Sequence, residues 1–180
     1  MIVLFGVVGS GKSEQATRLM ARYKIPHIST SKILRDNADP QHQALILAGR
    51  LVPDNETLEL LEKELKIINA KNNEFILDGA PRSVPQAKWL DQKIKNGELK
   101  LTAIIHLQVS KEVVLERLLA RGRDDDKEDI IIQRFEQYDN ITTPVLEYLK
   151  SVGYHIHEID GEKSPDEVEQ QIDTVLDAKK

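Results

Sequence analysis

The sequence has no cysteine, which excludes disulfides, thiol catalysis and any cysteine-ligated zinc module. It also lacks any apolar run near the roughly 18 residues that a membrane-spanning helix requires. The opening apolar stretch, Met1 to Val8, has no basic residue ahead of it and runs straight into glycines. That is the pattern of a strand and not of a signal peptide, so a cytoplasmic protein without a membrane partner is expected. Positive charge is in deficit: 25 Lys and Arg stand against 30 Asp and Glu, for a net charge of -5. A broad basic surface for nucleic acid is therefore not expected. The five histidines, His27, His42, His106, His155 and His157, have no metal-ligand spacing on one helix, and the last two alternate as on one face of a strand.

What is there is 180 residues, 40% hydrophobic and 31% charged, enough for one globular domain with a buried core. Short β-branched runs recur at Ile2 to Phe5, Ile25 to Ile28, Glu74 to Leu77, Leu101 to Val109 and Tyr154 to Ile159. Stretches of helical apolar spacing separate them, which predicts an α/β fold with a five-stranded parallel sheet flanked by helices. The helix after the first strand is expected to start near Gly11 and to turn Ala16, Leu19 and Met20 inward. Asp54 reads as the N-cap of a helix that buries Leu58, Leu61, Leu65 and Ile68. Ser164, followed by Pro165, Asp166 and Glu167, opens the C-terminal helix.

Between the second and third strands only helical signals occur. Residues 29–60 are therefore expected to form a small helical arm inserted in a single domain spanning 1–180. Residues 121–129 are too polar for the core and make a second, shorter excursion.

Gly6-Val7-Val8-Gly9-Ser10-Gly11-Lys12-Ser13 matches G-x-x-x-x-G-K-[ST], directly after an apolar strand and before a helix. Gly9, Ser10 and Gly11 let backbone N–H groups face phosphate oxygens at a positive helix end. Lys12 brings a point charge to the outer phosphates, and Ser13 offers a hydroxyl to Mg²⁺. This is a P-loop, and it specifies a nucleotide without specifying the reaction.

Asp78-Gly79-Ala80-Pro81-Arg82 follows the third strand. Asp78 thus ends a parallel strand near the edge where ligands bind, placed to hold Mg²⁺ through its water. Arg82, just beyond a turn, offers a planar fork suited to a phosphate. Arg117 and Arg121 are four apart, on one helix face. Lys12, Arg35, Arg82, Arg121, Arg123 and Arg134 place positive charge on an otherwise acidic chain. Phosphoryl transfer between two nucleotides needs such clamps more than it needs a general base, and none stands out.

These separated motifs together resemble the adenylate kinase family of nucleoside monophosphate kinases, over nearly the whole chain. The resemblance implies a P-loop kinase fold and Mg²⁺-dependent transfer of the ATP γ-phosphoryl to AMP, giving two ADP, by a monomer. It implies that Thr30 and Arg35 meet the acceptor nucleotide and that Arg50, Leu51 and Val52 line its adenine pocket. By the same resemblance Gly79, Ala80 and Pro81 shape the acceptor turn, Arg82 binds the acceptor phosphate, and Gln86 reads the adenine edge. Arg117 packs on the ATP adenine, while Arg121, Arg123 and Arg134, with Asp125 and Asp126 among them, close on the transferring phosphates as a reduced lid over 121–129.

The chain departs from the family pattern in several places. Ser13-Glu14 stands where Gly-Thr is usual, which puts the Glu14 carboxylate in the ATP half of the site. Thr30-Ser31-Lys32 replaces Thr-Gly-Asp, and Ala80 replaces an aromatic residue. The stretch from Arg35 to Gly49 is shorter, and the short lid predicts looser closure with some ATP hydrolysis. Two alternatives remain at this stage. A UMP/CMP kinase of the same fold is disfavoured by Gln86, and by Ser83 where pyrimidine-specific relatives carry Asn. A weakly active nucleotide-binding regulatory module has Glu14, Lys32 and Ala80 in its support.

Overall fold

The computed structural model describes residues 1–37, 39–123 and 126–178. Five parallel strands run β1 (Ile2–Phe5), β2 (His27–Ser29), β3 (Ile76–Asp78), β4 (Ala103–Gln108) and β5 (Ile156–Asp160), in the spatial order β2-β3-β1-β4-β5. All five lie where the apolar runs predict them, β1 with the same bounds and the other four with ends shifted by one or two residues. β1 is central, hydrogen-bonded to β3 on one side and β4 on the other. From β1 the chain crosses to the edge strand β2, returns to β3 beside β1, and then reverses to the other side of β1 as β4 and β5. A crevice at such a reversal, at the carboxyl ends of the strands, is where ligands bind in open α/β sheets.

Each face of the sheet is covered because strand side chains alternate. Val3 and Phe5 pack with Leu77 and Ile104 against α4 (Asp54–Ile67), α5 (Val84–Lys95) and α8 (Thr143–Ser151). Ile2 and Leu4 point the other way, with Ile105 and Leu107, against α1 (Lys12–Tyr23) and α9 (Pro165–Asp177). A third, smaller cluster of Val7, Val114, Leu118 and Ile131 wedges the loop after β1 between α6 (Lys111–Arg121) and α7 (Glu128–Gln137). Helices α2 (Thr30–Asp36), α3 (Pro40–Leu47) and α4 occupy the connection from β2 to β3.

Two local expectations need correction. Met20 is 40% exposed, whereas Ala16 and Leu19 are fully buried. It lies about 100° round the helix from Leu19, on the rim of the apolar stripe, and it borders the cleft described below. Asp54 is not an N-cap: Pro53 holds that position and Asp54 is the first helical residue. Its carboxylate accepts instead from Ser83 and Gln86 at the start of α5. On the predicted inner face of α4, Leu61 and Leu65 are buried, while Leu58 and Ile68 are half-buried.

The C-terminal helix starts as expected. The Ser164 side chain accepts from Glu167 N–H and the Glu167 carboxylate accepts from Ser164 N–H, with Pro165 in the first turn. Such a reciprocal cap is worth about 1 kcal/mol. Among the described residues no helix is long and apolar enough to cross a membrane.

Candidate active site

The carboxyl ends of β1, β2 and β3 are in register, with Leu4 and Ser29 both opposite Asp78. The loops leaving these ends border one cleft of about 1020 Å³, at the upper end of the range for a site holding one small molecule. Gly9, Gly11, Lys12, Ser13, Glu14, Thr30, Arg35, Arg50, Leu51, Val52, Asp78, Gly79, Ala80, Pro81, Arg82, Gln86, Arg117, Arg121, Arg123 and Arg134 all line it. Ser10, also expected in the loop from the sequence, stands behind the surface, 1% exposed.

The phosphate loop is shaped by close approach. A Cβ on Gly6, at φ +149°, would lie 2.5 Å from Ser10 Oγ and 2.9 Å from the Leu107 carbonyl oxygen. Only glycine fits there. Gly11 caps α1 in the left-handed region at φ 95°, so the first turn of α1 opens into the cleft. Lys12 Nζ donates to the carbonyl oxygens of Gly6 at 2.6 Å and Val7 at 2.8 Å. Burial, with Arg82 and Arg121 nearby, pulls its pKa down to about 8 although Asp78 attracts the charge.

Ser13 Oγ donates to Asp78 Oδ2 at 3.0 Å. Burial pushes the Asp78 carboxyl up, but His27, Lys12 and Ser13 together outweigh it and hold the group below the usual carboxylate range. His27, which sequence reasoning did not select, sits with Nε2 3.6 Å from Asp78 Oδ2. One hydroxyl and one carboxylate form a hard oxygen pair, and Mg²⁺ favours such partial sets completed by water and phosphate. Among the described residues no group of three His, Asp or Glu forms a metal cage. The residues thus fit a cation that arrives with the nucleotide.

Glu14 is turned away from the loop: its Oε1 accepts from Arg18 Nε at 2.9 Å, on the exposed face of α1. Arg18 is shared in turn with Asp166 and Glu169 of α9. The carboxylate that departs from the family pattern is therefore engaged in surface pairing.

On the other side of the cleft, Arg82 Nε donates to the Gly79 carbonyl oxygen at 2.8 Å and Arg82 NH2 to Ser31 Oγ at 2.9 Å. Burial lowers the Arg82 pKa, and the like charges of Arg134 and Arg35 add to it against the attraction of Asp78. Three arginines from separate elements thus face one volume. Thr30 is 3% exposed and its Oγ1 has no hydrogen-bond partner. A buried hydroxyl without a partner is costly unless a ligand supplies one.

Gln86 is 3% exposed, with Oε1 accepting from Arg82 N–H at 2.8 Å and Nε2 donating to Asp54 Oδ1 at 2.7 Å.

Arg117 and Arg121 share a face of α6. The Arg117 guanidinium donates to the Gly161 carbonyl oxygen at 2.9 Å, which lays it along the loop after β5. Arg121 forms a two-pronged pair with Asp126, at 2.8 and 2.6 Å. Arg123 N–H donates to Asp126 Oδ2 at 3.1 Å, and Arg134 lies 4.0 Å from Oδ1. Asp126 has a fully buried side chain, so it gathers the arginines of this edge. Burial pushes its carboxyl up, but Arg121, the Arg123 N–H and Arg134 bring it below the usual range. Asp125 lies outside the described residues.

A π-helical turn, Tyr138–Thr142, joins α7 to α8, and the sequence carries no signal for it. Tyr138 Oη is 3.0 Å from His106 Nε2 on β4, and Thr142 Oγ1 donates to the Arg82 carbonyl oxygen at 3.1 Å. The helix bearing Arg134 is thereby tied to both halves of the cleft.

A family model described as adenylate kinase matches residues 4–154. The chain is 38% identical over 182 residues to the adenylate kinase of Corynebacterium urealyticum, covering 98% of each chain. It is 38% identical over 173 residues to that of Mycobacterium tuberculosis, covering 93% of each. It is 42% identical over 153 residues to that of Mycolicibacterium vanbaalenii, covering 82% of this chain and 84% of the other.

Proposed function

The chain belongs to the adenylate kinase family, and from that premise we infer that its cleft transfers the γ-phosphoryl group of ATP to AMP, giving two ADP. The observation that carries the reading is the convergence on one cleft of a phosphate loop and an acceptor-type turn, with Lys12 and Arg82 facing the same volume. Neither half alone would distinguish a kinase from an NTP hydrolase.

Ser13 and Asp78 would hold Mg²⁺, which would supply neutralisation of the ATP phosphate charge. Lys12 leaves its loop carbonyls for a phosphate oxygen, a stronger charge-assisted partner. Backbone N–H groups at Gly9 to Ser13 hold the remaining phosphates, with Ser10 bracing the loop from behind and the backbone of Glu14 completing the first turn. Arg117 forms one wall of the ATP base pocket. Arg50, Leu51 and Val52 line the acceptor base pocket, into which Gln86 extends.

Thr30, Arg35 and Arg82 grip the acceptor phosphate, with Gly79, Ala80 and Pro81 setting the turn that aims Arg82. Arg121, Arg123 and Arg134 then surround the phosphoryl group in flight. Orientation and electrostatic stabilisation are the whole of the chemistry this requires. In this reading residues 29–60 act as the acceptor arm and residues 121–129 as a short lid, of which 124 and 125 lie outside the described residues. One copy of the chain carries every group named. It works as a monomer in the cytoplasm, with small nucleotides as its only partners.

The test is a screen of ATP, with Mg²⁺, against AMP, dAMP, CMP, UMP and GMP, followed by ADP formation. AMP as the preferred acceptor supports the reading. Preference for CMP or UMP would transfer the protein to the pyrimidine kinases, and nucleotide binding without turnover would make it a binding module.

A further inference from the structure

Gln86 is symmetric in what it can say to a base. A primary amide carries a carbonyl oxygen with two lone pairs and an NH2 with two hydrogens, and a half-turn of its last torsion exchanges them. In one orientation it complements the edge of a 6-aminopurine, which donates at N6 and accepts at N1. In the other it complements a 6-oxopurine, which accepts at O6 and donates at N1. The side chain alone therefore cannot separate AMP from IMP or GMP, and something must hold it in one orientation.

Two neighbours do so. The backbone N–H of Arg82 donates to Gln86 Oε1 at 2.8 Å, and Asp54 Oδ1 accepts from Gln86 Nε2 at 2.7 Å. Asp54 is itself pinned, because Ser83 Oγ donates to Oδ2 at 2.7 Å. That same Ser83 oxygen accepts from Gln86 N–H at 3.3 Å and caps α5. A carboxylate only accepts and a backbone N–H only donates. Rotating the amide would set oxygen against oxygen and N–H against N–H, two mismatches in a cluster where Gln86 and Ser83 are buried and Asp54 half-buried. One N–H and one lone pair of Gln86 stay unused by these bonds, and the residue borders the cleft.

We propose that Asp54 is a positioning residue that makes the acceptor site select 6-aminopurine over 6-oxopurine monophosphates, by fixing which end of the Gln86 amide faces the base. The inference rests on the reading of Gln86 as the adenine contact and goes beyond it, since it moves the choice of base from Gln86 to the residue behind it. Asp54 opens α4 and Gln86 lies in the first turn of α5, so the selecting contact spans two helices.

Asp54→Asn tests this without a change of shape. An Asn amide can turn its own NH2 toward a rotated Gln86 while its oxygen still accepts from Ser83, so one of the two mismatches disappears. With saturating ATP, the ratio of kcat/KM for AMP to that for IMP should fall about tenfold, while KM for ATP stays within about twofold. In a Gln86→Ala background the same substitution should leave that ratio unmoved, because the orientation it controls no longer exists.

An unchanged ratio in Asp54→Asn overturns the proposal, as does an equal fall in the Gln86→Ala background. A parent enzyme that phosphorylates AMP and IMP equally well also overturns it while leaving the kinase reading intact. A parent that does not phosphorylate AMP removes both.

Discussion

The ammonium of Lys12 donates to the carbonyl oxygen of Gly6 at 2.6 Å, folding the side chain back over the loop that precedes it. With the second bond to Val7 at 2.8 Å, the buried cation meets two neutral oxygens of its own backbone. Lys12 therefore contributes little to the fold for the charge it buries.

Lys12→Ala follows from this balance. The variant loses the hydrogen bonds to Gly6, Val7 and Ser10 but is relieved of a buried charge, so its melting temperature should stay within about 3 °C of the parent. Turnover should fall on the order of 100-fold or more, as when an electrostatic contact to a transferring group is removed. Near-parent kcat in this variant would sink the assignment.

A pH profile reads the same residue differently. With its pKa pulled down to about 8, free Lys12 is charged below that pH and neutral above it, so kcat/KM for ATP should decline as pH rises through about 8. Lys12→Arg, which cannot deprotonate in this range, should lack that limb whatever its absolute rate. Linkage has the matching sign. Below about pH 8 folded and unfolded chains both carry the proton and the folded state bears the full burial penalty. Between about 8 and 10.5 the unfolded chain binds more protons, so the penalty lifts and stability rises with pH relative to Lys12→Ala. A flat kcat/KM profile to pH 9.5 would refute the shift.

Arg82 allows geometry to be separated from charge. Its fork reaches the Gly79 carbonyl and Ser31 at once, a planar arrangement lysine cannot copy. Arg82→Lys should lose roughly 10- to 1,000-fold in kcat/KM for AMP with ATP binding little altered. Phosphate transfer to AMP at the parent rate would reduce Arg82 to a counter-charge, with Arg35 and Arg134 next to examine.

Gln86→Ala should raise KM for AMP more than KM for ATP and narrow the preference for AMP over CMP, because a site built around a paired hydrogen bond loses discrimination with it. Steady-state constants for both acceptors decide the matter. An AMP/CMP ratio equal to the parent's would take base reading away from this side chain.

Much of the molecule follows from local pattern. Short β-branched runs marked the five strands, because a parallel sheet buried on both faces takes near-continuous apolar segments. The place of the loop after β1 was legible for a similar reason, because Gly6, Gly11 and Lys12 set its shape within a few consecutive residues. The positions of Asp78 and Arg82 were legible because Asp78 ends, and Arg82 follows, a strand whose end must lie at the ligand edge.

Groups that work through a partner distant in sequence were not. Asp54, taken alone, is an acidic residue at a helix start and reads as a cap. Only the packing of α4 on α5 brings it to Ser83 and Gln86, and the carboxylate accepts from those donors while Pro53 takes the capping position. Ser31 gains meaning only when the β2 and β3 ends align and bring Arg82 to its hydroxyl. Asp126 and Glu14 are both carboxylates with an arginine within four residues in the sequence, yet one is buried as the anchor of Arg121 and the other pairs with surface Arg18. Residue type and spacing carry chemistry along the chain, whereas which donor meets which acceptor depends on distances that exist only after the sheet and its helices have closed on one another.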